Sequence, residues 1–245
     1  DPETATTIAE NLIEDPTVLG VVGHYSSDVT LATAPIYEAG ELVTITPVST
    51  AVDLSGISPY LYRTVPSDSF AAAALAAYML YYREDRNVSV FYDSANELSG
   101  SLKDEFDSFV SAWGGDILEE YDLSDGGFDA EAVVAEDEAD VLMLAASSET
   151  LDLAAEVIEA NGNARPILGG DEIYNRYILE ETGAESQALT VAVPWHLLSR
   201  DTDTDFAQSS RDLWKGDVSW RTATAYDAVI AIASGLTGDA SREGL

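Results

Sequence analysis

Hydroxyl and carboxylate side chains recur in this chain where short apolar runs end. Ser26 and Ser27 follow the run from Val18 to Gly23, and Ser49 and Thr50 follow Leu42 to Ile45. Ser147 follows Val141 to Leu144, and Asp171 follows Ile167-Leu168. Such groups, gathered at strand ends, can hold a small molecule. A hydroxyl donates to an anion, a carboxylate accepts from an ammonium, and charge strengthens either contact. The same hydroxyls are also suited to capping helices and closing turns.

Other candidate chemistry is weaker. Gly169-Gly170-Asp171-Glu172-Ile173 spells most of the signature of cyclic-dinucleotide synthases, but that motif needs a hairpin, and the residues from Ile173 to Glu181 have helical spacing. Asp201-Thr202-Asp203-Thr204-Asp205 resembles the start of a calcium loop, yet Phe206 stands where the sharp turn needs Gly. Asp212 stands where a bidentate Glu belongs, so these acids read as the N-terminal charge of a helix. Two histidines, His24 and His196, lie far apart with no nucleophile motif, Gly-rich phosphate loop or H-E-x-x-H beside them. His24, at a strand end, reads as a structural hydrogen-bonding residue. No catalytic residue, metal ligand or cofactor is expected.

The elements that must position these groups alternate along the chain. Helix is expected over Thr6–Glu14, strand over Val18–Gly23, helix opening at Ser26 or Ser27, and strands over Leu42–Ile45 and Leu61–Val65. The first of these strands, short of polar residues, reads as parallel and buried on both faces. Helix Phe70–Tyr82, strand Val88–Tyr92, helix Leu98–Trp113, strand Ile117–Leu123 and helix Ala130–Ala135 follow. The pattern continues with strand Val141–Leu144, helix Leu151–Ala160, strand Ile167-Leu168 and strand Leu189–Val193. Helices Asp205–Trp214 and Thr222–Leu236 precede a polar tail. Short apolar strands alternating with helices argue for an α/β fold with a parallel sheet in each of two lobes. In such sheets ligands settle beyond the carboxyl ends of the strands, where helix N-termini favour anions.

The chain has 245 residues, no cysteine, and 45 acids against 11 bases, a formal charge of -34. That charge repels phosphate backbones, which makes nucleic acid an unsuitable partner, and it is tolerated best where salt screens it. No run reaches the length of a membrane span and no signal segment opens the chain; the opening reads as the middle of a fold.

In order along the chain, VVGHYSS, APIYEAG, TPVST, YLYRTVPSD, VFYDS followed by SGSL, ILGGDE and TATAYDAV resemble the periplasmic solute-binding proteins of branched-chain amino acid ABC transporters. The resemblance implies two α/β lobes joined by hinge crossovers that close on an amino acid. The lobes would comprise residues 1–66 with 195–245, and residues 67–194. The first lobe is expected to be incomplete, because an initial strand, helix and strand and the final strands of the family have no counterpart. Ser27 matches the serine that binds the ligand carboxylate, Ser49 and Thr50 the pair that meets its ammonium and carboxylate, and Asp171 the acid that pairs with the ammonium. Flanking aromatics are replaced at Glu97 or Leu98 and at Ser147 or Ser148, which alters the side-chain pocket; Tyr25 and Glu172 complete the expected contact set. The resemblance further implies an extracytoplasmic, non-enzymatic protein with a small zwitterionic ligand and a permease partner, or a ligand-sensing domain of the same fold.

Overall fold

A computed structural model describes residues 1–196, 205–216 and 218–245. They form two compact units, residues 1–67 with 194–245 and residues 68–193, so the chain passes from one to the other after Ser67 and returns after Val193.

Unit 1 opens with α1 (Pro2–Glu14), capped by Asp1, whose carboxylate accepts from the Glu3 and Thr4 amides. Then come β1 (Val21–Val22), α2 (Ser27–Ala39), β2 (Thr44–Thr46) and β3 (Leu61–Arg63), with the strands parallel in the order β1-β2-β3. Ser26 is the residue that caps α2, its Oγ accepting from Val29 N at 3.3 Å. Helices α1 and α2 cover one face, with Ala9, Leu12, Ile13 and Tyr37 packed in one cluster with Val21 and Leu42. The expectation that the first strand is buried on both faces is corrected: β1 pairs with β2 alone among the described residues, and Val22 remains 41% exposed. An edge strand has one flank without a neighbour, so an apolar composition does not make it central.

Unit 2 begins with α3 (Asp68–Ala77), which passes into a π-helical turn, Tyr78–Arg83, where a single α-helix was expected. It continues through β4 (Asn87–Tyr92), α4 (Glu97–Ala112), β5 (Asp116–Asp122), α5 (Ala130–Glu136), β6 (Val141–Ala145), α6 (Leu151–Asn161), β7 (Ile167–Gly169), α7 (Arg176–Thr182) and β8 (Leu189–Val191). The five strands are parallel in the order β5-β4-β6-β7-β8. Strand alternation divides β6 between the two faces. Val141, Met143 and Ala145 pack with Leu75, Met79, Leu102 and Phe106, and Leu142 and Leu144 pack with Val134, Val157, Ile158 and Ile178. The helix expected from Ile173 starts only at Arg176, because Asn175 caps it and Ile173 plugs the core beneath Gly169.

The chain then returns to unit 1 with α8 (Asp205–Trp214) and α9 (Trp220–Gly235). Ala228 and Ile232 of α9 cover Val43 and Ile45 on the second face of the unit 1 sheet. The tail expected to be merely polar is docked. Arg242 donates to the carbonyls of Val18 (2.8 Å), Ile13 (3.0 Å), Gly40 (3.3 Å), Leu12 (3.2 Å) and Asp15 (2.7 Å), closing the C-terminal ends of α1 and α2.

Candidate functional site

In unit 1 the sequence-predicted residues gather beyond the carboxyl ends of β1 and β2. The hub is the His24 carbonyl, which accepts from Thr46 Oγ1 at 3.0 Å and Ser49 Oγ at 3.1 Å. Ser49 Oγ also lies 2.7 Å from Thr30 Oγ1, and Thr46 Oγ1 accepts from Ser49 N at 3.1 Å. Ser49 is therefore a fully buried turn brace. Ser27 is equally buried and its Oγ accepts from Ala51 N at 3.3 Å, which leaves its proton to donate. Thr50 differs: its Oγ1 is buried and has no hydrogen-bond partner among the described residues. Tyr25 is 56% exposed.

Two residues that the sequence reading did not assign hold this end together. Arg63, at the end of β3, donates to the carbonyls of Thr50 (3.3 Å) and Ala51 (3.0 Å) and to Ser55 Oγ, fixing the loop that carries Thr50. Tyr37 lies under His24, with its hydroxyl 3.0 Å from Nε2 and the rings stacked at 5.7 Å. Burial lowers the His24 pKa, keeping the imidazole neutral, as suits a structural residue.

In unit 2 the strand order reverses direction between β4 and β6, since the chain goes from β4 out to β5 and back to β6. Such a switch point opens a crevice at the carboxyl ends of the two strands. The loops that border it carry Asp93 and Ser147, with Ser147 Oγ donating to Asp93 Oδ2 at 2.6 Å and accepting from Glu149 N at 3.1 Å. Ser99 in α4 accepts from Asp93 N at 2.7 Å and donates to the Ala145 carbonyl, tying β4 to β6. Ser147 is thus a structural group at the crevice and Leu98 is buried in the first turn of α4. Asp171 and Glu172, each 5% exposed, follow β7 in a turn rather than a hairpin, so the context of the cyclic-dinucleotide motif is absent. Asp93 escaped the sequence reading because a single Asp after a strand is an ordinary turn residue.

The unit 2 loop after β5 is braced as well. Asp122 accepts from Ser94 and Ser124, through both hydroxyls and both amides. Partial burial raises its pKa, but these bonds outweigh it and hold the carboxyl at about 2. Among the described residues no group of His, Cys, Asp and Glu could hold a metal ion. Of the calcium-loop candidate Asp201 to Asp205, residues 201–204 lie outside the described residues, and Asp205 opens α8.

Solved structures of the same fold include a leucine-binding protein, LivK, from Thermotoga maritima (22% identity, TM-score 0.88), covering all of this chain and 71% of that one. LivJ, a branched-chain amino acid transporter substrate-binding protein from Streptococcus pneumoniae in complex with isoleucine, gives 19% identity and a TM-score of 0.87, with 100% and 71% covered. A solute-binding protein of an ABC transporter from Rhodopseudomonas palustris, in complex with 3,4-dihydroxybenzoic acid, gives 15% identity and a TM-score of 0.83, with 100% and 69% covered. No curated protein sequence matches. The family model for periplasmic binding proteins matches residues 1–243 of the 245: the chain belongs to the periplasmic binding protein family.

Proposed function

We propose that this chain captures an amino acid or similar small zwitterion outside the cytoplasm and hands it to an ABC-type permease. Its family is one of solute-binding proteins, not typically of enzymes. Among the described residues no helix is long and apolar enough to cross a membrane. The observation that carries the reading is Thr50 Oγ1, a buried hydroxyl without a partner at the end of β2. A polar group in that state costs about 1 to 3 kcal/mol, which a ligand oxygen would offset. In this reading Thr50 and Ser27 donate to the ligand carboxylate, and Asp171 takes its ammonium. The two chain passages at 67–68 and 193–194 are the proposed hinges.

A thermal-melting screen against the common amino acids tests the proposal. A ligand bound by the folded state alone adds about 2.7 kcal/mol of stability at a hundredfold excess over Kd. A true ligand therefore raises the melting temperature in proportion to the logarithm of its concentration. A set of amino acids that leaves it unmoved at millimolar concentration would falsify the reading.

A further inference from the structure

Strand β4 carries two polar side chains that the fold leaves idle. Ser89, 0% exposed between β5 and β6, has an Oγ with no hydrogen-bond partner among the described residues. A buried hydroxyl left unbonded destabilises a fold, and alanine at this position would avoid that. Asn87 opens the same strand at the amino end of the sheet, half-buried beside exposed Arg86, Asp116 and Asp140. Its backbone is held by Asp140, the amide donating to Oδ2 at 3.4 Å and the carbonyl accepting from the Asp140 amide at 3.0 Å. Its carboxamide has no hydrogen-bond partner among the described residues. Strand alternation puts Asn87 and Ser89 on one face. Asn87-Val88-Ser89 is also the one Asn-x-Ser/Thr triplet in the 245 residues. Such a triplet is the acceptor of N-linked glycans in secreted proteins, and it requires the hydroxyl two residues beyond the asparagine. A triplet alone arises readily by chance. Here a hydroxyl that burdens the folded state stands at the position where the modification needs it.

We propose that Asn87 is an N-glycosylation site, with Ser89 retained for recognition of the unfolded chain rather than for the fold. The inference rests on the reading of this chain as a protein working outside the cytoplasm. The co-reactant is a glycan linked to a polyprenyl phosphate or diphosphate. Asn87 Nδ2 forms a bond to the anomeric carbon, the bond from that carbon to the phosphate oxygen breaks, the lipid phosphate leaves as the anion, and one amide proton passes to a base; nothing is oxidised or reduced. The order of the chain gives the reaction its opportunity. Both neighbours of β4 follow it in sequence, β5 at 116–122 and β6 at 141–145, so residues 87–89 have no strand partner until those have emerged. Once unit 2 has folded, Ser89 is sealed in while Asn87 stays at the rim of the sheet. That rim is at the amino end, opposite the β4-β6 crevice, so a glycan there leaves the crevice open.

The test is mass spectrometry of the protein purified from the cells that make it, after fractionation has located it. Trypsin cuts after Arg86 and Lys103 and releases residues 87–103 as one peptide. That peptide is expected to carry a glycan mass, which fragment ions place on Asn87. Asn87→Gln and Ser89→Ala should abolish the added mass, and Ser89→Thr, which keeps the hydroxyl, should retain it. Melting of unmodified protein made in a host without the transferase separates this role from a structural one: Ser89→Ala should melt no lower than the parent, because it removes an unbonded buried hydroxyl. A bare Asn87 on protein recovered outside the cytoplasm overturns the inference and leaves the proposed function standing, and no variant is needed to see it. Glycan that persists in Ser89→Ala overturns it as well. Protein found only in the cytoplasm, with Asn87 bare, overturns both. A glycan on Asn87 in a protein that binds no amino acid upholds the inference while the amino-acid reading fails.

Discussion

Thr50→Val is expected to move stability and binding in opposite directions. Valine keeps the shape of threonine and replaces only the hydroxyl. In the ligand-free protein that hydroxyl is buried, with the residue 4% exposed and Oγ1 unpartnered among the described residues. The backbone of the residue is held independently by Arg63, which bonds to its carbonyl at 3.3 Å. An unmade buried hydrogen bond costs about 1 to 3 kcal/mol, so the substitution should recover about 1 kcal/mol. For a domain of this size that raises the melting temperature by about 2 to 4 °C. Binding should respond the other way. A hydrogen bond to a charged group contributes about 1.5 to 3 kcal/mol, so affinity for a carboxylate should fall roughly ten- to a hundredfold. Melting without ligand and calorimetric titration with the best ligand of the screen measure the two effects separately. A variant that melts lower than the parent and binds as the parent does would show that the hydroxyl serves the fold, and the reasoning from its orphaned state would be refuted.

Three further outcomes are expected. Arg242→Met strips five carbonyls at the ends of α1 and α2 of their shared donor; part of this edge is open to water, so a loss of about 2 to 4 kcal/mol is expected in urea unfolding, and a midpoint unchanged from the parent would count against the clamp. Asp122, depressed to about 2 by its Ser94 and Ser124 bonds after burial has pushed it up, contributes stability that is present above the ordinary carboxylate pKa and lost as pH falls through the folded value. Asp122→Asn should therefore flatten stability between about pH 4 and 2, and an acid-unfolding curve as steep as the parent's would refute the assignment. Asp171→Asn tests the ammonium end. Removing one partner of a desolvated charge pair costs about 2 to 5 kcal/mol, mostly as faster dissociation, so an unchanged off-rate by surface plasmon resonance would sink the pairing.

The alternation of apolar runs and helical spacing made the α/β class legible in the sequence, and turn hydroxyls marked the strand ends where the candidate site residues lie. Strand position within a sheet was not legible. The run from Val18 to Gly23 read as a strand buried on both faces, but whether a flank is filled depends on which element folds against it. The helix expected at Ile173 and the unbroken helix through Tyr82 fail for related reasons, since an Asn cap and a π turn are decided by local hydrogen bonding that apolar periodicity does not encode. Arg242 was invisible because its partners lie far away in sequence. The same holds for the division of labour among the hydroxyls. By type, Ser49, Ser147 and Thr50 are alike, and only their bonding separates the braces from the orphan.

The discontinuity of unit 1 sets an order of events during synthesis. Unit 2 is contiguous, so its β4-β6-β7 core can be complete as soon as residue 193 has left the ribosome. Unit 1 must wait, because the α9 face and the Arg242 clamp follow unit 2 in the chain, and that clamp joins residues 202 to 230 positions apart. Closing so long a loop adds little to the final free energy, since each doubling of loop length costs only about 0.6 kcal/mol, but it delays the moment at which the contact can form. Until then α1, α2 and the first three strands remain a nascent segment tethered to a folded unit and open to chaperones.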